Sequence, residues 1–122
     1  MPRRILIVDD EPHMIRLAEL SLRKGGYELY TARNGREAVE AAFAKKPDLI
    51  ILDVLMPEMN GLQALQALKA AQETAAIPVI MLTARGAQLT RQEAETSGAA
   101  VFLTKPFSPT QLLAETQRIL GA

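Results

Sequence analysis

The side chains best suited to chemistry in this sequence are polar residues placed directly after short apolar segments. They are Asp9, Asp10, Asp53, Thr83 and Lys105. Three carboxylates held close together repel one another, so a cluster of them is stable mainly when a cation binds there. Because the donors are oxygen atoms, a hard divalent ion is favoured, Mg²⁺ or alternatively Mn²⁺.

A carboxylate beside a divalent cation can act as a nucleophile toward phosphorus. The cation and the ammonium of Lys105 would offset the charge on the phosphoryl oxygens in the transition state. The product would be an acyl phosphate on an aspartate, and Thr83 could donate a hydrogen bond to one of its oxygens. The residue types therefore indicate phosphoryl transfer to the protein itself, provided that the fold brings these distant positions together.

Short apolar segments alternate with segments of helical periodicity, which predicts five strand–helix units. The predicted strands comprise residues 4–8, 27–32, 48–52, 78–82 and 100–104. The predicted helices comprise residues 12–24, 34–44, 62–68, 88–96 and 109–120. Asn34 and Ser108 are predicted helix caps, and Gly61 and Gly98 are interpreted as helix punctuation only. The side chains predicted to face inward from the second helix are Ala38, Val39, Ala42 and Phe43.

Strands joined through helices should be parallel, with right-handed crossovers. The expected architecture is therefore a three-layer, doubly wound α/β domain with five parallel strands and five helices. In such folds ligands bind beyond the carboxyl ends of the strands. These are the ends at which the five polar residues occur, so we expect them to converge in one pocket.

Length and composition narrow the class of protein. The chain has 122 residues, which fits a single domain over residues 1–122, and 48% of them are hydrophobic. Lys+Arg and Asp+Glu are both 14, so the formal net charge of zero argues against direct nucleic-acid binding or a membrane patch. Without cysteine, disulfides and thiolate chemistry are excluded. No bilayer-spanning segment or signal peptide is evident, and a cytoplasmic location is expected.

Four motifs together resemble the receiver domains of two-component response regulators. In sequence order, they are Val8-Asp9-Asp10-Glu11, Leu52-Asp53-Val54-Leu55-Met56-Pro57, Leu82-Thr83-Ala84 and Lys105-Pro106-Phe107. The resemblance extends over the whole chain and implies a flavodoxin-like sheet with strand order 2-1-3-4-5. It also implies a signalling domain rather than an enzyme.

The resemblance assigns roles to the polar residues by motif position. Asp53 would accept a phosphoryl group from a sensor histidine kinase, a phosphotransfer protein or a small phosphodonor. Asp10 and Asp53 would ligate Mg²⁺ together with the backbone carbonyl of Leu55, and Asp9 would act largely through water. Lys105 would pair with the phosphate, and the peptide bond before Pro106 would be cis.

The resemblance also implies a conformational switch. Thr83 would turn toward the phosphoryl group, and Phe102 would rotate inward into the vacated space. The surface read by partners would be formed by the fourth helix, the fifth strand and the last helix. Because Phe102 lacks the hydroxyl of a tyrosine, we expect its resting state to be biased inward. The downstream partner would be a separate protein target or a fused output domain.

Two residues lie at positions that tune phosphate lifetime in this family, Leu55 and Arg85. Leu55 cannot orient a hydrolytic water, so we predict a longer-lived phosphate than in domains with an amide there. A Leu55→Asn variant with an unchanged dephosphorylation rate would contradict this.

Three alternatives remain open from the residues. A flavodoxin-like cofactor binder would need a phosphate-cradling loop in place of Asp9-Asp10-Glu11-Pro12, and would purify with bound flavin. An aspartyl-phosphate hydrolase would carry its nucleophile after the first strand, and would turn over small phosphoesters. An interaction module that is never phosphorylated is the third alternative.

Overall fold

The computed structural model describes residues 2–54, 61–84 and 98–121, in which strands and helices alternate. The strands are β1 (Arg4–Val8), β2 (Glu28–Ala32), β3 (Leu49–Asp53), β4 (Val79–Ala84) and β5 (Val101–Lys105). The α-helices are α1 (Pro12–Leu22), α2 (Gly35–Lys45), α3 (Gly61–Ala70) and α4 (Pro109–Leu120), and a 3₁₀ turn (Arg23–Gly25) extends α1. The helix predicted over residues 88–96 lies outside the described residues.

The five strands form one sheet in the order β2-β1-β3-β4-β5, and every neighbouring pair is parallel. This confirms the doubly wound flavodoxin-like topology expected from the sequence. Strand order reverses between β1 and β3, so the carboxyl ends of these two strands flank the crevice where such folds bind ligands. The register pairs Val8 with Leu52 and Asp53 with Leu82, which brings the ends of β1, β3 and β4 to one edge.

The sheet is covered on both faces, because successive side chains of a strand point to opposite sides. One face packs against α1 and α4 through Ile5, Ile7, Leu49, Ile51, Ile80 and Leu82. The other face packs against α2 and α3 through Leu6, Val8, Ile50, Leu52, Val79 and Met81. The two apolar faces hold the strand ends, and the candidate site residues on them, in fixed relative positions.

Local sequence signals start the helices. Pro12 occupies the first turn of α1, where a missing N–H costs no hydrogen bond. The Asn34 side chain accepts a hydrogen bond of 2.8 Å from the Glu37 amide, and the Ser108 hydroxyl accepts one from the Gln111 amide. Both predicted caps are therefore confirmed.

The predicted inward face of α2 is wrong at one position. Ala38 and Ala42 are fully buried, but Phe43 is 38% exposed. The helix turns by about 100° per residue, so Phe43 is rotated away from the direction in which Ala42 meets the sheet. A helix that packs closely through alanines leaves the larger neighbouring ring at the edge of the contact.

The longest described helix has 12 residues. Within the described ranges, no helix combines the length and apolar character needed to cross a membrane.

Candidate functional site

The predicted polar residues lie at the carboxyl edge of the sheet. Asp9 follows β1, Asp53 ends β3 and Lys105 ends β5. Asp9 and Asp53 are almost completely buried, at 1% and 3% exposure, whereas Asp10 is exposed at the rim. One carboxylate oxygen from each of Asp9, Asp10 and Asp53 lies within 4.8 Å of the other two. The fold thus brings together carboxylates that are more than 40 positions apart in the sequence.

Lys105 bridges the two buried carboxylates. Its Nζ lies 2.7 Å from Asp9 Oδ2 and 3.2 Å from Asp53 Oδ1, and only 14% of its side chain is exposed. Both contacts are ion pairs. The ammonium is therefore placed beside the carboxylates rather than in solvent.

The charge state of Lys105 follows from two opposing effects. Burial lowers the pKa of its ammonium, but the contacts with Asp9 and Asp53 outweigh burial and raise the pKa above its ordinary value. The side chain is therefore a fixed cation at neutral pH. A fixed cation beside a carboxylate is suited to stabilising anionic oxygens that arrive there.

The β1–α1 connection adds a further acidic side chain to the rim. The Glu11 amide donates a hydrogen bond of 3.0 Å to Asp9 Oδ1, which fixes the orientation of that carboxylate. Glu11 Oε1 lies 3.8 Å from Lys105 Nζ, and Glu11 Oε2 lies 3.3 Å from His13 Nε2. His13 is 74% exposed.

Thr83 and Phe102 lie on neighbouring strands near the same edge. The Thr83 hydroxyl donates a long hydrogen bond of 3.5 Å to the Leu103 carbonyl, so it is only weakly held. Phe102 is half-buried and packs against the apolar cluster beneath α2 and α3. The register places Phe102 opposite Met81 and Thr104 opposite Thr83, so Phe102 lies two residues before Thr83 along the shared direction.

Gly61 is a site residue that sequence reasoning missed, because it was interpreted as helix punctuation only. It begins α3, and its amide donates a hydrogen bond of 2.8 Å to the Val54 carbonyl. A Cβ at this position would overlap the Asp53 carbonyl oxygen and lie 2.7 Å from Val54 Cα. The absence of a side chain therefore lets α3 approach the backbone that carries Asp53. In the sequence, a single glycine after a proline-containing loop does not show whether it only marks the end of the loop or also allows a close approach of two backbones.

Some predicted positions fall outside the described ranges. Leu55, Pro57 and Arg85 lie outside the described residues, as does the whole predicted fourth helix. The peptide bond between Lys105 and Pro106 is cis.

The donor set fits a hard divalent cation. The cluster offers carboxylate oxygens only, of which two are buried and one is accessible from the rim. The four carboxylates of the pocket, those of Asp9, Asp10, Glu11 and Asp53, face a single ammonium among the described residues. This excess of negative charge is the electrostatic condition under which Mg²⁺ binding is favourable.

The sequence matches a family of known proteins whose site has this arrangement of residues. The chain belongs to the response regulator receiver domain family, whose sequence model matches residues 5–117. Receiver domains are phosphorylation switches of two-component systems, generally bind Mg²⁺ at an acidic pocket and are not classed as enzymes. The match favours this family over the cofactor binder and the hydrolase that the residues alone left open.

Curated relatives share the domain over nearly all of this chain. PhoP of Bacillus subtilis, an alkaline phosphatase synthesis transcriptional regulatory protein, is 38% identical over 120 residues. These residues cover 98% of this chain and 49% of PhoP. The transcriptional regulatory protein SrrA of Staphylococcus aureus is 39% identical, over 98% of this chain and 48% of SrrA. The chain therefore spans about half the length of the curated relatives it matches.

Solved structures agree on the fold. A putative response regulator from Chloroflexus aurantiacus is 34% identical and superimposes with a TM-score of 0.92, covering 100% of both chains. The chemotaxis response regulator CheY4 of Vibrio cholerae is 35% identical with a TM-score of 0.89, covering 98% of this chain and 99% of CheY4. The signal receiver domain of a histidine kinase from Syntrophus aciditrophicus is 39% identical with a TM-score of 0.89, covering 98% of this chain and 90% of that domain.

Proposed function

We propose that this domain is switched by transfer of a phosphoryl group to Asp53. The observation that carries the proposal is the position of the Asp53 carboxylate. It is almost completely buried at the carboxyl edge of the sheet, within 3.2 Å of a fixed ammonium and in a cluster with two further carboxylates. A nucleophile and a cation so placed match the needs of phosphoryl transfer, which depends mainly on positioning and charge.

In the proposed step, a carboxylate oxygen of Asp53 attacks phosphorus while the bond from phosphorus to the leaving group breaks. With a phosphohistidine donor, the imidazole nitrogen leaves with the bonding electrons and is protonated by solvent. The ammonium of Lys105 turns from Asp53 toward the phosphoryl oxygens and offsets their charge. The product is an acyl phosphate on Asp53.

Asp10 and Asp53 would hold Mg²⁺ directly, together with the backbone carbonyl of Leu55, and Asp9 would act through water. When bound, the ion would neutralise the clustered carboxylates and polarise the phosphoryl group. The exposure of Asp10 supports this assignment, because a ligand at the rim leaves an entry path for a hydrated ion. Mn²⁺ has the same preference for oxygen donors and could substitute.

The switch would pass from Thr83 to Phe102. The weak bond between the Thr83 hydroxyl and the Leu103 carbonyl costs little to break, so the hydroxyl is available to a phosphoryl oxygen. Movement of Thr83 would open space toward which Phe102 turns, changing the surface of β5 and the neighbouring helices. The partial burial of Phe102 supports an inward bias before phosphorylation.

The phosphoryl donor would be a sensor histidine kinase or a phosphotransfer protein. The relatives PhoP and SrrA carry names of transcriptional regulators and are about twice as long as this chain. They support an output through a fused domain, and a separate protein target is the other arrangement. We propose a cytoplasmic location, no membrane contact and no direct binding of nucleic acid by this domain.

Intact mass spectrometry after incubation with acetyl phosphate and Mg²⁺ tests the proposal. We expect the wild type to gain one phosphoryl group that is labile to hydroxylamine, as an acyl phosphate is. Asp53→Asn should gain none, and neither should the wild type in excess EDTA. A phosphoryl group that stays on Asp53→Asn would place the acceptor elsewhere and overturn the proposal.

A further inference from the structure

Glu11 is a pocket residue that the proposed chemistry does not use. It stands at the N-cap position of α1, yet its side chain caps no helix amide. Its carboxylate instead faces the pocket rim, 3.8 Å from the ammonium of Lys105, and its side chain is 49% exposed. The charge of Glu11 therefore neither caps the helix nor lies in the core of the protein.

The position of this charge relates directly to the acceptor. Glu11 Oε1 lies 3.8 Å and Asp53 Oδ1 lies 3.2 Å from the same Lys105 nitrogen. The two carboxylate oxygens are therefore no farther apart than about 7 Å, the sum of these distances, which is shorter than the screening length of about 8 Å at physiological salt. A phosphoryl donor approaching Asp53 would feel the charge of Glu11 at close range.

The sign of the pocket makes this charge consequential. Four carboxylates face one ammonium among the described residues, and a bound divalent cation would still leave the pocket negative. Of the four, Glu11 lies at the rim without being in the cluster of three that could hold the cation. Its charge is thus the part of the negative field that ion binding neutralises least directly.

We propose that Glu11 is a specificity-determining residue that disfavours highly charged small-molecule phosphodonors. The inference rests on the proposed function of Asp53. A small donor reaches the pocket by diffusion alone. The energy of its repulsion by Glu11 rises in proportion to its charge, so a more highly charged donor phosphorylates Asp53 more slowly. A protein donor gains binding free energy over a whole interface, which compensates for repulsion at one rim carboxylate. Glu11 therefore biases the domain toward a protein donor.

The neighbouring His13 is consistent with this role. Its Nε2 lies 3.3 Å from Glu11 Oε2, but its side chain is 74% exposed, so the pair is strongly screened by solvent. Solvent screening weakens the pair, so that it offsets only a small part of the rim charge. The amide of Glu11, which holds Asp9, belongs to the backbone and is retained when the side chain is changed.

The test compares two donors of different charge on Glu11→Gln and wild type, with saturating Mg²⁺ and at one pH near neutrality. Acetyl phosphate is doubly charged and phosphoramidate is singly charged under these conditions. From Coulomb's law with screening, we expect Glu11→Gln to accelerate phosphorylation by acetyl phosphate roughly two- to fivefold at low ionic strength. The acceleration with phosphoramidate should be smaller, and both should shrink as salt is added.

Glu19→Gln is the matched control. It removes the same charge from the same helix, about two turns farther from the pocket, and should leave both rates unchanged. Titration with Mg²⁺ alone, followed by amide NMR, supplies a readout independent of phosphorylation. Glu11→Gln should bind Mg²⁺ more weakly while reacting faster with acetyl phosphate, whereas a distorted pocket would lose both.

Equal effects on the two donors, no effect at all, or the same effect in Glu19→Gln would overturn the role of Glu11 while leaving Asp53 as the acceptor. If the wild type gains no phosphoryl group from either donor, the proposed function itself fails, and this inference falls with it. The two failures are therefore distinguishable in one experiment.

Discussion

The ammonium of Lys105 lies closer to Asp9 than to Asp53, at 2.7 Å from one carboxylate and 3.2 Å from the other. The lysine is therefore shared between the buried carboxylate that follows β1 and the residue proposed to react. Both carboxylates are almost completely buried, and they share this ammonium as a counter-ion.

Replacement of Lys105 by methionine should destabilise the metal-free protein. Two buried carboxylates would lose the ammonium that they share, and we expect the free energy of unfolding to fall by about 1–3 kcal/mol. Urea denaturation followed by circular dichroism measures the change. Lys24→Met, at an exposed position, is the control and should be neutral. Equal stability of Lys105→Met and wild type would show that the ion pairs carry no net stabilisation.

The stability difference between wild type and Lys105→Met should depend on pH in a defined direction. The pKa of Lys105 is raised in the folded protein, because its contacts with Asp9 and Asp53 outweigh burial. Its contribution is therefore complete below its ordinary pKa of 10.5 and is lost as pH rises through the higher folded value. Burial also raises the pKa of Tyr27, but Tyr27 is common to both proteins and cancels in the difference. A difference that grows above that pH would contradict the assignment.

Mg²⁺ should stabilise the wild type and act much more weakly on Asp10→Asn. At a concentration tenfold above its dissociation constant, the ion should raise the free energy of unfolding by about 1.4 kcal/mol. Asp10 is exposed, and its charge lies within 4.8 Å of Asp9 and Asp53, so its replacement by asparagine should leave the metal-free stability unchanged or slightly raised. Thermal unfolding with and without Mg²⁺ gives both quantities. An identical Mg²⁺ response in the two proteins would remove Asp10 from the ligand set.

Gly61→Ala should impair both stability and phosphorylation. Its Cβ would overlap the Asp53 carbonyl oxygen, so either α3 or the end of β3 must move, at a cost of about 1–3 kcal/mol. Gly121→Ala is a useful comparison, because Gly121 has a φ of 76° but nothing within 4 Å of a Cβ. That variant should lose about 1 kcal/mol through backbone strain alone and should phosphorylate normally. If both variants phosphorylated at the wild-type rate, the close approach of Gly61 would have no functional weight.

Thr83→Ala should separate phosphorylation from the switch. Mass spectrometry should still show a phosphoryl group on Asp53. The NMR resonances of the Phe102 ring should no longer shift on phosphorylation, because the variant lacks the hydroxyl that would turn toward the phosphoryl group. Thr104→Ala changes the residue paired with Thr83 in the neighbouring strand and is the control, with a normal Phe102 shift. A wild-type Phe102 shift in Thr83→Ala would exclude Thr83 as the coupling residue.

Much of the fold could be predicted from the sequence because its signals are local. The apolar strands, Pro12 at the start of α1 and the Asn34 cap are all decided by a few neighbouring residues. Phe43 was mistaken for a core residue because periodicity defines a stripe but not its width.

The candidate site could be predicted only in outline. Asp9, Asp53 and Lys105 were expected to converge because all three follow strands of one parallel sheet. The approach of Gly61 to Asp53 depends on the path of α3, and the approach of Glu11 to Lys105 depends on which way a helix-capping position turns its side chain. Neither contact can be predicted from neighbouring residues in the sequence, because each contact joins residues from different elements.

The alternation of side chains along the strands places the proposed acceptor and Phe102 on opposite faces of the sheet. Asp53 and Lys105 continue the rows of Ile51 and Leu103, which face α1 and α4, whereas Phe102 faces the cluster beneath α2 and α3. The proposed acceptor and the proposed readout residue therefore lie on opposite faces of one sheet, near its carboxyl edge. With this arrangement, substitutions on the face that carries Phe102 could change which partners bind, without altering the residues around Asp53.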